Sequence, residues 1–162
     1  KFSISKLREG ILNFTFKDKR NVIFRGKYNI YDDSYNANPD SMKSSLETLF
    51  KLSGPSNSVA ILGDMKELGK FSKKYHKELG EFAANLKLKY LITFGKESEE
   101  ISKSFREKMG SNNSIHFLND KKGKIELIQF IERTFNQNDF IRVKGSRSMK
   151  MEEIVEELKK NE

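Results

Sequence analysis

Cysteine is absent from the chain, and histidine occurs only at His76 and His116. The first absence excludes disulfides, thiolate nucleophiles and any zinc site built on cysteine. The second excludes a histidine-rich metal centre. No apolar run approaches the roughly 20 residues that span a bilayer, so no membrane span is expected. Lys1-Phe2-Ser3 is not a basic-then-apolar leader, and a cytoplasmic setting is the expectation. There is no Ser-His-Asp order and no HExxH pair, so local motifs alone establish ligand binding rather than catalysis. What is present suits one globular domain: 162 residues, 36% hydrophobic and 33% charged, enough to bury a core.

The net charge is +8. The cations are scattered from Lys1 to Lys160 with acids among them, which reads as solvated helix faces rather than a track for a polyanion. A nucleic-acid-binding domain would interleave aromatics with exposed cations. Here Phe94, Phe117 and Phe140 sit inside apolar runs, so no nucleic-acid partner is expected.

From Val59 onward, short apolar runs alternate with helical periods. The runs are Val59-Ala60-Ile61-Leu62, Tyr90-Leu91-Ile92-Thr93-Phe94, Ile115-His116-Phe117-Leu118 and Phe140-Ile141-Arg142-Val143. The first two are almost continuously apolar, as strands covered on both faces are. Between and after them lie stripes of 3.6-residue period: Leu79/Phe82/Ala83/Leu86, Ile101/Phe105/Met109, Ile125/Ile128/Ile131/Phe135 and Met151/Ile154/Val155/Leu158. Such repetition predicts an α/β fold, a Rossmann-like three-layer sandwich whose mostly parallel sheet is covered on both faces. Val22–Phe24 and Tyr28–Tyr31 around Arg25-Gly26-Lys27 predict a hairpin at its edge. Residues 1–20, with Ile4, Leu7 and Ile11 hinting at a short helix, read as the tail of a preceding domain plus a linker, leaving 21–162 as the domain proper.

Glycines follow three of the strands, at Gly63, Gly95 and Gly145, where tight turns let a ligand approach the backbone. Ligands of open α/β sheets bind at the strands' carboxyl ends, which directs attention to loops 32–40, 63–72, 95–98 and 144–149. In Asp32-Asp33-Ser34-Tyr35-Asn36-Ala37-Asn38-Pro39, Asn38 and Pro39 suit a helix N-cap and first turn. Two carboxylates and a further amide, Asn36, go beyond capping and suit ribose hydroxyls or a base edge. Leu62-Gly63-Asp64-Met65-Lys66-Glu67-Leu68-Gly69-Lys70 is not a P-loop: five residues separate its glycines and Phe71 follows Lys70, so phosphates are not cradled there in the usual way. Asp64 is either a turn residue or a carboxylate for a substrate ammonium, Ser72 reads as the next helix's N-cap, and His76 as a surface or boundary residue. His116, alternating with apolar neighbours, reads as structural. Val143-Lys144-Gly145-Ser146-Arg147-Ser148-Met149 offers two cations before a helix that Ser148 would cap, suiting a carboxylate or phosphate. Lys144 ends a buried strand, where an unpaired charge is costly.

In this order and spacing the three loops resemble the C-terminal domain of the Mur ligases, in the branch that adds D-alanyl-D-alanine, over roughly residues 20–160. The resemblance implies an ATP-dependent, magnesium-using ligase that joins D-alanyl-D-alanine to UDP-N-acetylmuramoyl-tripeptide through an acyl phosphate. It implies two further domains of the same polypeptide, one for the UDP-sugar and one carrying the P-loop, and a monomer. By the same resemblance Asp33 contacts the ATP ribose, Asn36 and Asn38 line that loop, and Arg20 reaches the ATP phosphates from the interdomain junction. Asp64, Lys144, Ser146 and Arg147 line the dipeptide and acyl-phosphate pocket. The P-loop, magnesium ligands and UDP-binding domain of the family have no counterpart in this sequence, so the chain alone is expected to be an inactive fragment. Two alternatives stand beside it: a free-standing α/β nucleotide-binding or regulatory module, and a sister Mur ligase that adds a different amino acid.

Overall fold

The computed structural model describes residues 22–110 and 112–160; the expectations for residues 1–20, Arg20 among them, lie outside that range. Strand β1 (Val22–Arg25) and β2 (Asn29–Asp32) form the expected hairpin, paired antiparallel. Helix α1 (Pro39–Ser53) leads to β3 (Ser58–Gly63), α2 (Ser72–Asn85) to β4 (Tyr90–Phe94), and α3 (Glu99–Met109) to β5 (Ser114–Phe117). Helix α4 (Lys121–Thr134), β6 (Phe140–Lys144) and α5 (Glu152–Lys160) complete the order. The sheet runs β1-β2-β6-β3-β4-β5 and is parallel from β2 to β5.

Alternate side chains of the central strands point to opposite faces, and both faces are covered. Ala60, Leu62 and Leu91 face Met42, Leu46 and Leu49 of α1, Leu79 and Ala83 of α2, and Ile101 and Phe105 of α3. Val59, Ile61, Ile92, Ile141 and Val143 face Leu127 and Ile131 of α4 and Ile154, Val155 and Leu158 of α5. The α/β sandwich is therefore as expected, and no helix among the described residues is long and apolar enough to cross a membrane.

Strand β6 inserts between β2 and β3 after β4 and β5 have grown outward from β3. The chain leaves β2 and β3 toward one face and β6 toward the other. Their loops separate at the carboxyl ends, which opens a crevice there. One stripe is rotated from its expected phase: α4 buries Leu127 and Ile131 while Ile125 is 49% exposed. Gly123 fixes that roll, because it packs against the Leu118 carbonyl where a β-carbon would collide.

Candidate functional site

The crevice holds a cleft of about 740 Å³, and all three sequence motifs line it: Tyr35 to Asn38, Lys66 to Leu68, and Ser146 to Ser148. Asn38 caps α1 as the Asn-Pro pair predicts, its side chain accepting from the Ser41 N–H at 2.8 Å while Ser41 Oγ accepts from the Asn38 N–H at 3.0 Å. That reciprocal capping box fixes the loop at its helix end. Asp32 fixes the strand end: it is 1% exposed, and its Oδ1 accepts from both the N–H and the hydroxyl of Ser34. Its role is an Asx turn.

Asp33 and Lys144 stand behind the cleft, joined to each other. Lys144 Nζ lies 3.1 Å from Asp33 Oδ2 and donates to the Asn36 carbonyl at 2.9 Å. The same carboxylate oxygen accepts from Ser45 Oγ at 2.8 Å and from Arg142 at 3.4 Å. The Lys144 charge that looked unpaired in the sequence thus has its partner 111 positions earlier, just past the end of the neighbouring parallel strand β2. Arg142, 2% exposed, lies over the Tyr31 ring at 3.7 Å. Burial pushes its pKa down from the ordinary value, and the Asp33 charge and Tyr31 oppose that fall.

Asp64 is also behind the lining. It is 1% exposed; Oδ1 accepts from the backbone N–H groups of Glu97 (3.0 Å) and Ser98 (2.7 Å), and Oδ2 pairs with Lys66 at 2.8 Å. Its ammonium is therefore internal. Lys66 also reaches Glu97 at 3.1 Å. Gly63 and Gly145 end adjacent strands with their backbones nearly touching: a β-carbon on Gly145 would lie 3.1 Å from Gly63 Cα. There the Ser146 N–H donates to the Asp64 carbonyl at 3.0 Å and the Lys66 N–H donates to Ser146 Oγ at 2.8 Å, stitching the two loops together.

Three expectations are corrected nearby. His76 is not a surface residue but is fully buried: Nε2 accepts from the Met65 N–H at 3.0 Å and Nδ1–H donates to the Ser72 carbonyl at 2.8 Å. Its position on the stripe of Leu79 and Ala83 was the signal that it would be buried. Ser72 is not the N-cap of α2, which is Phe71; its hydroxyl instead donates to Glu97 Oε2. Ser148 does not cap α5: it is exposed in a 3-10 turn, Arg147–Met149, and α5 begins at Glu152. His116 is structural, beside the Thr93 hydroxyl at 3.0 Å.

The Asp64 cluster carries a pH dependence. Burial, the largest influence, pushes the Asp64 carboxyl up, but hydrogen bonds from Lys66 and the Ser98 backbone and the Lys66 charge together bring it below its ordinary value. Glu97 is also lowered, by the Ser72 hydroxyl first and, against its own burial, by Lys66. A carboxyl whose pKa falls on folding contributes stability above its ordinary range, and that stability is lost as pH falls through the lowered value. The urea midpoint is therefore expected to decline as pH drops from about 5 to about 3, and Lys66→Met should shallow the decline. Parallel pH profiles for the two proteins would refute this account.

Of the residues singled out in the sequence, Asn36, Asn38, Ser146 and Arg147 line the cleft. Asp33, Asp64 and Lys144 brace it, and Arg20 is not described. A family model for the Mur ligase, glutamate ligase domain, matches residues 19–147. The chain belongs to that family. This Mur ligase domain is 35% identical over 162 residues to the UDP-N-acetylmuramoyl-tripeptide–D-alanyl-D-alanine ligase of Buchnera aphidicola, covering 98% of this chain and 33% of the relative. It is 33% identical over 129 residues to the ligase of the same name from Bacillus subtilis, covering 80% of this chain and 27% of that protein. Among solved structures, the MurF ligase of Thermotoga maritima in complex with ADP matches with a TM-score of 0.72 at 28% identity, over 91% of this chain and 32% of that one. The Mur ligase domain thus spans about a third or less of the length of these relatives.

Proposed function

We propose that this domain is the closing part of a cytoplasmic ATP-dependent ligase that joins D-alanyl-D-alanine to UDP-N-acetylmuramoyl-tripeptide in peptidoglycan precursor synthesis. The observation that carries it is the convergence of three family motifs, distant in sequence, on one polar cleft at the sheet's switch point. The names of the relatives supply the substrates, and the ADP of the Thermotoga structure supports a nucleotide.

ATP, when bound, supplies the phosphoryl group that turns the tripeptide carboxylate into an acyl phosphate; the dipeptide amine then forms the amide as phosphate leaves. On this chain, the Asn36 and Asn38 amides suit the nucleotide, and Asp33, its carboxylate 16% exposed, suits the ribose hydroxyls. Ser146 and the exposed cation Arg147 suit the carboxylate of the dipeptide. Lys144 and Asp64 hold these loops in place. Among the described residues no group of three His, Asp or Glu side chains is placed to hold a metal ion, and no step is assigned to magnesium on this chain. Closure of the domain over its neighbours would exclude water from the acyl phosphate.

Phosphate release by the full-length gene product that carries this chain is the test. Release is expected only when UDP-N-acetylmuramoyl-tripeptide, ATP and D-alanyl-D-alanine are all present. Release with a single amino acid instead of the dipeptide would move the assignment to a sister ligase. No release with any acceptor would replace the ligase by a nucleotide-binding or regulatory module.

A further inference from the structure

An incoming dipeptide is a zwitterion, and its two ends need opposite charges in the cleft. Of the cations lining the cleft, Lys66 is held between the Asp64 and Glu97 carboxylates, while Arg147, its side chain 65% exposed, makes a surface pair with Glu152 at 3.1 Å, a contact weak enough to exchange for a substrate carboxylate. Glu67 is the acidic side chain of the lining. It is exposed, and among the described residues it makes no hydrogen bond or ion pair.

The backbone sharpens the point. Glu67 sits at φ 64°, in the left-handed region, where glycine or asparagine rests easily and a longer side chain is strained. Nothing in the fold needs the carboxylate here: no described group leans on it, whereas Asp64 two residues earlier is held by two backbone N–H groups and Lys66. Asp64, the sequence's candidate for the amine, is closed to it by burial and by its own partners.

We infer that Glu67 is the carboxylate that receives the ammonium group of the incoming amine substrate and sets its orientation, with Arg147 receiving the carboxylate end. This rests on the ligase reading given above and extends it to a residue not assigned a role there. A carboxylate on an ammonium is a charge-assisted hydrogen bond, stronger and more directional than a neutral one. It discriminates by the amine rather than by the side chain, which suits an acceptor whose side chains are single methyl groups.

The test is steady-state kinetics of the full-length protein with Glu67→Gln, Glu67→Gly and Glu67→Asp. Glu67→Gly is compatible with the left-handed backbone, so it keeps the loop while removing the carboxylate. Both Gln and Gly variants are expected to raise KM for D-alanyl-D-alanine about tenfold or more, with KM for ATP and for UDP-N-acetylmuramoyl-tripeptide unchanged and kcat within about threefold. Glu67→Asp should recover part of the loss. An unchanged dipeptide KM in both Gln and Gly variants, in an active protein, would overturn the inference and leave the ligase standing. An equal rise in all three KM values would overturn it in favour of a purely structural loop. If the unsubstituted protein turns over a different amino acid whose KM the same substitutions raise, the acceptor is corrected and Glu67 is upheld. If it turns over no amine at all, the inference falls together with the ligase.

Discussion

Asp33→Ala is expected to destabilise this chain by about 3–5 kcal/mol, the cost of breaking a buried ion pair from one side. Two cations depend on that carboxylate: Lys144, whose side chain is 5% exposed, and Arg142, at 2%. Without it they face each other's charge in a region largely closed to water. The Asn36 carbonyl, Ser45 hydroxyl and Tyr31 ring supply only dipoles and a quadrupole in its place. Lys144→Met alone should cost less, because Asp33 keeps Arg142 and Ser45. Adding Lys144→Met to Asp33→Ala should recover part of the loss, since one of the stranded cations is then gone. Urea unfolding of the three variants checks this. An Asp33→Ala cost below about 1 kcal/mol, typical of an exposed pair, would mean that the cluster is hydrated and that the loop is not braced from behind.

Gly95→Ala should be comparably damaging for a steric reason. Gly95 ends β4 at φ 140°, outside what other residues adopt with ease, and a β-carbon there would lie 2.6 Å from the Asp64 carboxyl carbon and 2.8 Å from Met149 Cε. Neither neighbour has room to yield: Asp64 is held by the Glu97 and Ser98 N–H groups, and Met149 is buried. Backbone strain and a displaced, partly unsatisfied carboxylate together should cost about 4 kcal/mol, or roughly 8–16 °C in melting temperature for a domain of this size. Gly110→Ala at φ 62°, with nothing near its would-be β-carbon, isolates the backbone share and should cost about 1 kcal/mol. Equal losses at the two positions would show that crowding against Asp64 is not what matters.

The sheet was legible because β3 and β4 are apolar on both faces, as strands of a covered parallel sheet are. The Asn38-Pro39 start of α1 was legible because capping is local chemistry. The cleft was legible as a set of loops, because glycines after strands mark where a chain turns over a sheet's end. The division of labour inside those loops was not. Lys144 finds Asp33, and Lys66 finds Glu97, only after β6 has inserted beside β2 and the β3 and β4 ends have come together. No spacing rule along one chain encodes such pairings. Ser72 and Ser148 looked like caps because serine before a helical stripe usually is one; a 3-10 turn ahead of each helix displaced the true start. Glu67 was hidden for a different reason: a left-handed φ is a property of the folded turn, and glutamate does not advertise it.

The pinch between Gly63 and Gly145 bears on how a substrate would be received. With two strand ends nearly touching and Ser146 bonded to both the Asp64 carbonyl and the Lys66 N–H, the loops after β3 and β6 are tied to each other by the fold itself. The two ends of an amine substrate, Glu67 on the first loop and Arg147 on the second, would therefore meet charges whose spacing is set by the fold rather than by binding.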